Sequence, residues 1–215
     1  MDLIPSPEDV VALLRRTGAL RDGHFAYSRQ IHTDQHLDPA LAMRSYRNAK
    51  LLSVGLSRLV RSETALRTVL PQLSVVAVTA GGLPVAYGLA EVLHPAQVYW
   101  VERDGPAGPV RFAQFIQPAP GEKVLLVDDV FCSGRPLAEA ATLISAWDAE
   151  VAAIAVLVRQ PDCTAISFGS IPVLSLASVS APHYSRASEC AACRRGIPLE
   201  EPVHKRFREA ASCAS

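Results

Sequence analysis

The stretch Val124-Leu125-Leu126-Val127-Asp128-Asp129-Val130-Phe131-Cys132-Ser133-Gly134-Arg135-Pro136-Leu137 decides the fold. Its apolar start reads as a strand buried on both faces, as in a parallel sheet. Such a strand delivers Asp128 and Asp129 to the carboxyl edge of the sheet, where open α/β folds bind their ligands. The small-residue turn that follows opens a helix, so its backbone N–H groups and the helix dipole favour a phosphate. Two carboxylates beside a phosphate nest suit a sugar phosphate. The acids accept hydrogen bonds from sugar hydroxyls while the turn holds the phosphate. The plain alternative is a strand-turn-helix with two exposed acids, but strand, acid pair and turn occur together in the required order.

On either side of this stretch, strands and helices alternate. Ser74 to Val78 is a short β-branched run ending in Thr79-Ala80-Gly81-Gly82, and Leu83 to Leu93 then reads as a helix. Gln97 to Val101 is a strand, Glu102 to Pro109 a loop, and Val110 to Phe115 a further strand. A helix is expected from about Pro136 to Trp147, and strands at Val151 to Val158 and Ile171 to Leu176. This alternation implies a parallel α/β sheet with helices on both faces. Upstream, Ser6-Pro7-Glu8-Asp9 is a capped helix start, and Gly18 is placed to stop that helix. The polar stretch from Gly23 through His36 reads as short strands and turns. A second amphipathic helix is expected over roughly Arg44 to Val60, with Leu51, Leu52, Leu56 and Leu59 available for burial. The segment after Ser178 reads as a looser tail.

Composition narrows the function classes. Of 215 residues, 49% are hydrophobic and 20% charged, which suits a globular domain. Lys plus Arg and Asp plus Glu both number 21, so no broad electrostatic footprint for nucleic acid or an anionic membrane is expected. The first residues lack a signal-peptide pattern and no apolar run approaches membrane-spanning length, which gives a cytoplasmic expectation. Five unevenly spread cysteines do not look like a disulfide framework.

The pattern of four apolar residues, two acids, two apolar residues and a small turn resembles the type I phosphoribosyltransferase signature. Beyond it, the chain resembles orotate phosphoribosyltransferases across nearly its full length. Gly18-Ala19-Leu20, Gly23-His24-Phe25, Ser28 and His32-Thr33-Asp34 look like that family's N-terminal segment. Val76 to Leu83 is similar to its diphosphate-binding turn, and Val101-Glu102-Arg103 to the start of its mobile loop. Val156-Leu157-Val158-Arg159 resembles a strand end whose Arg contacts the orotate carboxylate. Cys190-Ala191-Ala192-Cys193-Arg194-Arg195-Gly196-Ile197-Pro198-Leu199 resembles a C-terminal extension of a bacterial subgroup.

The resemblance implies a type I phosphoribosyltransferase domain over residues 1–178, including a small N-terminal hood, with a C-terminal extension carrying CxxC over 179–215. It implies transfer of the phosphoribosyl group from phosphoribosyl diphosphate to orotate, with Mg²⁺ as cofactor and a homodimer as the assembly. Asp128 and Asp129 would fix the ribose, and Cys132, Ser133, Gly134, Arg135 and Pro136 would hold the 5-phosphate. Thr79, Ala80, Gly81 and Gly82 would meet the diphosphate, with Arg103 and Arg111 as its cations and Arg103 in the catalytic set. Arg159, Ser28 and Cys132 would meet orotate, because a guanidinium pairs two-pronged with a carboxylate.

The sequence departs from the family pattern at several points. Cys132 stands where a Thr is usual, Arg135 and Pro136 replace smaller residues, Arg29 stands where a Gly is common, and the loop Glu102 to Pro109 has no Lys or His. These departures keep two alternatives open: a transferase for another nucleobase-like acceptor, and a non-catalytic sugar-phosphate-binding regulator.

Cys190 and Cys193 have metal-ligand spacing, but a structural zinc site takes about four ligands. His183, His204 or Cys213 could assist; otherwise the two cysteines form a surface pair or a local turn. His32 and His36 share a face if extended, and read as solvated or substrate-edge residues rather than ligands. Cys163 reads as a simple loop or buried thiol, and Trp100 and Trp147 as core or interface aromatics.

Overall fold

The structure is a computed structural model that describes residues 5–26, 31–105, 108–113, 116–161 and 165–200. Its N-terminal helix α1 (Pro7–Arg16) begins as the sequence dictates. The Asp9 amide donates to Ser6 Oγ at 3.1 Å and the Ser6 amide donates to Asp9 Oδ2 at 3.2 Å. Strands β1 (Leu20–Ala26) and β2 (His32–Leu37) then pair antiparallel, with a bulge between Asp22 and Phe25. Two helices follow, α2 (Ala40–Met43) and α3 (Tyr46–Ser62).

The alternating part of the chain supplies β3 (Ser74–Ala77), α4 (Gly82–Leu93), β4 (Val98–Arg103), β5 (Val110–Phe112), β6 (Lys123–Phe131), α5 (Arg135–Ser145), β7 (Glu150–Arg159) and β8 (Val173–Ser178). These strands form one six-stranded sheet in the order β5-β4-β3-β6-β7-β8. All its pairings are parallel except β4 with β5. The expected parallel sheet with helices on both faces is therefore present.

Alternation along the central strand β6 explains the two-sided core. Leu125 and Val127 pack on one face with Leu52 and Leu56 of α3 and Val85 and Leu89 of α4. Val124 and Leu126 point to the other face, against Leu137, Ala140 and Ile144 of α5. Every residue from Val124 to Val127 is fully buried, so polar substitution on either face would strand a polar group in the core.

Several boundaries move. Strand β6 continues through both acids to Phe131, because β7 pairs alongside it as far as the register Phe131↔Arg159. The strand expected over Val110 to Phe115 ends at Phe112, and residues 114–115 lie outside the described residues. Leu51, expected to be buried, is 45% exposed. The inward face of α3 follows Leu52, Leu56 and Val60, and Leu51 lies about 100° away around the helix.

Residues 179–200 fold back on the N-terminal part. Strand β9 (His183–Tyr184) pairs with β2, giving a second, three-stranded sheet in the order β1-β2-β9. The short helix α6 (Ala191–Arg194) follows, and Glu200 bridges to Phe25. The C-terminal extension thus completes the hood sheet.

Candidate active site

Asp128 and Asp129 sit near the end of β6, above the turn that opens α4. Asp128 is 3% exposed. Its Oδ1 accepts from Thr79 Oγ1 at 2.5 Å and from the Asp129 amide at 3.1 Å, while Asp129 Oδ1 accepts from the Val130 amide at 2.9 Å. Burial, followed by the neighbouring Asp129 charge, pushes the Asp128 carboxyl up to about 8; burial is also the main cause raising Asp129. Two desolvated acids side by side are poised to take hydroxyl donors or a hard cation.

The turn is shaped to let them lie there. A Cβ on Gly81 would sit 2.5 Å from Asp129 Oδ2, and one on Gly82 would sit 2.9 Å from the Val127 carbonyl. Thr79 therefore reaches Asp128 across a turn that has room only for glycine at these two positions. The second turn, after β6, ends at Gly134 with φ +73°, the left-handed region that glycine adopts without strain. Pro136 occupies the first turn of α5, where a missing N–H costs no helix bond.

Both turns border a cavity of about 500 Å³. The sheet side of its wall includes Thr79, Asp128, Asp129, Ser133, Gly134 and Pro136. The hood contributes Phe25, Thr33, Gln35 and His36, and β9 contributes His183. Gln35 Nε2 donates to Asp22 at 2.8 Å, while the buried Gln35 Oε1 has no hydrogen-bond partner among the described residues. Gln160, just beyond β7, is 6% exposed and lines the same cavity.

Other expected site residues stand elsewhere. Arg103 Nη1 donates to the Gly108 carbonyl at 2.8 Å, and its guanidinium pairs with Glu139 of α5. Arg135 Nε donates to the same Glu139 at 3.0 Å. Against the desolvation that would raise it, hydrogen bonds from Arg135 and Arg103 hold the Glu139 carboxyl below its usual range. Arg111 pairs with Glu102 at 2.7 Å. These three arginines, Ala80, Gly81 and Gly82 are not among the described residues lining the cavity.

Arg159 is also absent from that wall. Its guanidinium lies 5.5 Å from the centroid of Phe131, the residue opposite it in the β6–β7 register. Successive residues of a strand point to opposite faces, so a shift of one position exchanges the exposed Arg159 for the buried Gln160. Sequence reasoning missed Gln160; the polar residue at the end of an apolar strand was the available signal. Cys132 does line the cavity, but it is disulfide-bonded and has no thiol proton to donate. Ser28 lies outside the described residues.

Cys190 and Cys193, both free thiols, meet His24 and His32 of the hood. Of the companions the sequence suggested, His183 instead lines the cavity, and His204 and Cys213 lie outside the described residues. His36 tilts against Phe25 at the cavity wall, while His32 joins the cysteines.

Comparison with known proteins agrees with this geometry. Residues 69–167 match the phosphoribosyl transferase domain family, a span that contains both turns and both acids. Orotate phosphoribosyltransferase of Thermus thermophilus is 28% identical over 193 residues, covering 90% of this chain and 99% of that one. Among solved structures, orotate phosphoribosyltransferase from Aeropyrum pernix superposes with a TM-score of 0.62 at 22% identity, over 79% of this chain and 93% of its own. Adenine phosphoribosyltransferase from Thermoanaerobacter pseudethanolicus gives 0.61 at 14% identity, over 78% and 99%. The fold is thus shared by transferases named for different bases, and the sequence likeness is what separates them. A domain match spanning the acid pair, inside a likeness that runs nearly end to end, makes this chain similar to the type I phosphoribosyltransferases, and to orotate phosphoribosyltransferases among them.

Proposed function

We propose that the protein transfers the phosphoribosyl group of phosphoribosyl diphosphate to orotate, giving orotidine 5'-phosphate and diphosphate. The observation that carries this reading is the Asp128–Asp129 pair, the first buried and the second half-buried, set between two glycine-containing turns on the wall of a 500 Å³ cavity. In the reaction the bond from C1 of the ribose to diphosphate breaks as a pyrimidine nitrogen bonds to that carbon. Charge develops on the ribose ring, so positioning and stabilisation of the leaving group do the chemical work.

Asp128 and Asp129 accept hydrogen bonds from the ribose hydroxyls, and the turn from Ser133 to Gly134 presents backbone N–H groups to the 5-phosphate. The Thr79 to Gly82 turn lies beside the acids on the diphosphate side. Arg103 and Arg111 are held nearby by Glu139 and Glu102, and reach the diphosphate only by exchanging those partners. Carboxylate and hydroxyl oxygens are hard donors, and the paired acids fit Mg²⁺. When bound with the substrate, Mg²⁺ supplies positive charge to the departing diphosphate.

The hood side of the cavity, with Gln35, His36 and the nearby Gln160, receives the acceptor ring. Homodimerisation and a cytoplasmic setting belong to the same reading. Exposed Tyr46 and Leu51 on α3 and Tyr87 on α4 support an apolar subunit contact. Among the described residues no helix is long and apolar enough to cross a membrane.

The test is direct. Purified protein incubated with phosphoribosyl diphosphate, Mg²⁺ and orotate should release diphosphate and form orotidine 5'-phosphate. Tight binding of phosphoribosyl diphosphate without turnover would overturn the enzymatic reading, and turnover only with another base would overturn orotate as acceptor.

A further inference from the structure

Four side chains that the proposed transferase reaction does not use converge where the hood meets the Cys190–Cys193 turn. His24 Nε2 lies 3.1 Å from His32 Nδ1, 3.4 Å from Cys193 Sγ and 3.6 Å from Cys190 Sγ. His32 Nδ1 lies 3.1 Å from Cys193 Sγ, and all four donor atoms fall within 4.8 Å of one another. Cys190 and His24 are 1% and 3% exposed.

Hydrogen bonding alone does not account for this convergence. His24 Nδ1 is 2.8 Å from the Ile197 carbonyl, which can only accept, so that nitrogen carries the proton. In the neutral ring His24 Nε2 is then a single lone pair faced by three polar atoms. A shared cation at their centre satisfies all of them. Tetrahedral zinc with ordinary bond lengths would place its ligand atoms about 3.3 Å (N to N), about 3.6 Å (N to S) and about 3.8 Å (S to S) apart. The four separations given above, 3.1, 3.1, 3.4 and 3.6 Å, lie within about 0.5 Å of the N-to-N and N-to-S values before any ion is added.

We propose that His24, His32, Cys190 and Cys193 form a structural zinc site. Soft sulfur and imidazole donors in a closed set of four suit zinc rather than magnesium. Two thiolates cancel the charge of the ion, which makes a half-buried site electrically neutral. The Ile197 carbonyl fixes the His24 tautomer, as ligating histidines require. The ligands come from two places far apart in the chain, the β1–β2 hairpin and the Cys190–Cys193 turn around α6. Zinc therefore pins the C-terminal extension to the hood.

The site has a consequence for the cavity. The β1–β2 strands that carry His24 and His32 also carry Phe25, Thr33, Gln35 and His36 of the cavity wall. The ion would brace the strands that form the hood side of that wall.

The experiment is metal analysis of the full chain purified without chelator, followed by stripping and refilling with Co²⁺. About one zinc per chain is expected, and the cobalt form should show tetrahedral d–d bands with thiolate charge-transfer absorption. The Cys190→Ser/Cys193→Ser double variant should lose both signals. Because that variant could fail to fold, alkylation of the unaltered protein provides a second readout. Labelling mapped by mass spectrometry should reach Cys190 and Cys193 at least tenfold faster once a chelator is added. A metal-free protein after reconstitution, a cobalt spectrum without thiolate absorption, chelator-independent labelling or a Cys190–Cys193 disulfide would each overturn the proposal. None of these readouts depends on transferase activity.

Discussion

The carboxyl edge of the main sheet and the hood sheet meet at one cavity but are held in different ways. The edge is backed by four consecutive fully buried residues of β6, with apolar layers on both faces. The hood is a three-stranded sheet whose last strand, only His183–Tyr184, pairs with β2, while His24 and His32 meet Cys190 and Cys193 of the following turn. Close packing can hold two desolvated acids in place; two short strands and a tail need a local clip. In the proposed reaction the sugar phosphate lies on the rigid side and the acceptor on the hood side.

The largest expected effect breaks the rigid side. Leu126→Ala removes a fully buried side chain packed against α5, and should cost about 2–5 kcal/mol by denaturant titration. A loss under about 1 kcal/mol would mean that the edge is not held by its core.

Next comes Asp128→Asn, which separates stability from activity. The carboxylate it replaces would bind ribose through charge-assisted hydrogen bonds worth about 1.5–3 kcal/mol, so kcat/KM should fall roughly 10–100-fold. Stability should move the other way. The folded-state pKa of Asp128 is raised to about 8, above that of an unfolded carboxyl. Its stabilising contribution is therefore complete below the unfolded value and is lost as pH rises through about 8. The wild type should lose Tm relative to Asp128→Asn across that interval, and parallel melting curves would contradict the raised pKa.

The smallest effect probes the hood. Gln35→Leu changes a cavity-lining side chain whose amide oxygen is buried without a hydrogen-bond partner among the described residues. KM for the acceptor should rise by tenfold or less, about 1 kcal/mol, with KM for phosphoribosyl diphosphate nearly unchanged. Equal changes in both would erase the division between the two walls.

The two walls also differ in how much of them could be read in advance. Asp128, Asp129 and the Ser133–Gly134 turn are contiguous in sequence, so an apolar strand followed by acids and a small turn carried its own geometry. Arg159 was one residue away from Gln160, the residue that lines the cavity. That choice depends on which face of the β7 end is buried, and the Phe131 stacking partner belongs to another strand. Arg103 was legible as a cation near the site, but its Glu139 partner lies 36 positions along, on α5. In sequence His24 reads as part of a family-like Gly-His-Phe segment and His32 as a solvated or substrate-edge residue, because their cysteine partners return about 160 residues later.

By itself the sequence determined the alternating α/β order, the acid pair at a strand end and the two phosphate-suited turns. Local periodicity and backbone chemistry govern those features within a few residues. Only the tertiary structure decided that the tail completes the hood, that Gln160 rather than Arg159 lines the cavity, and that two histidines meet Cys190 and Cys193. Each depends on strand register and long-range pairing, where a shift of one residue turns a side chain to the opposite face.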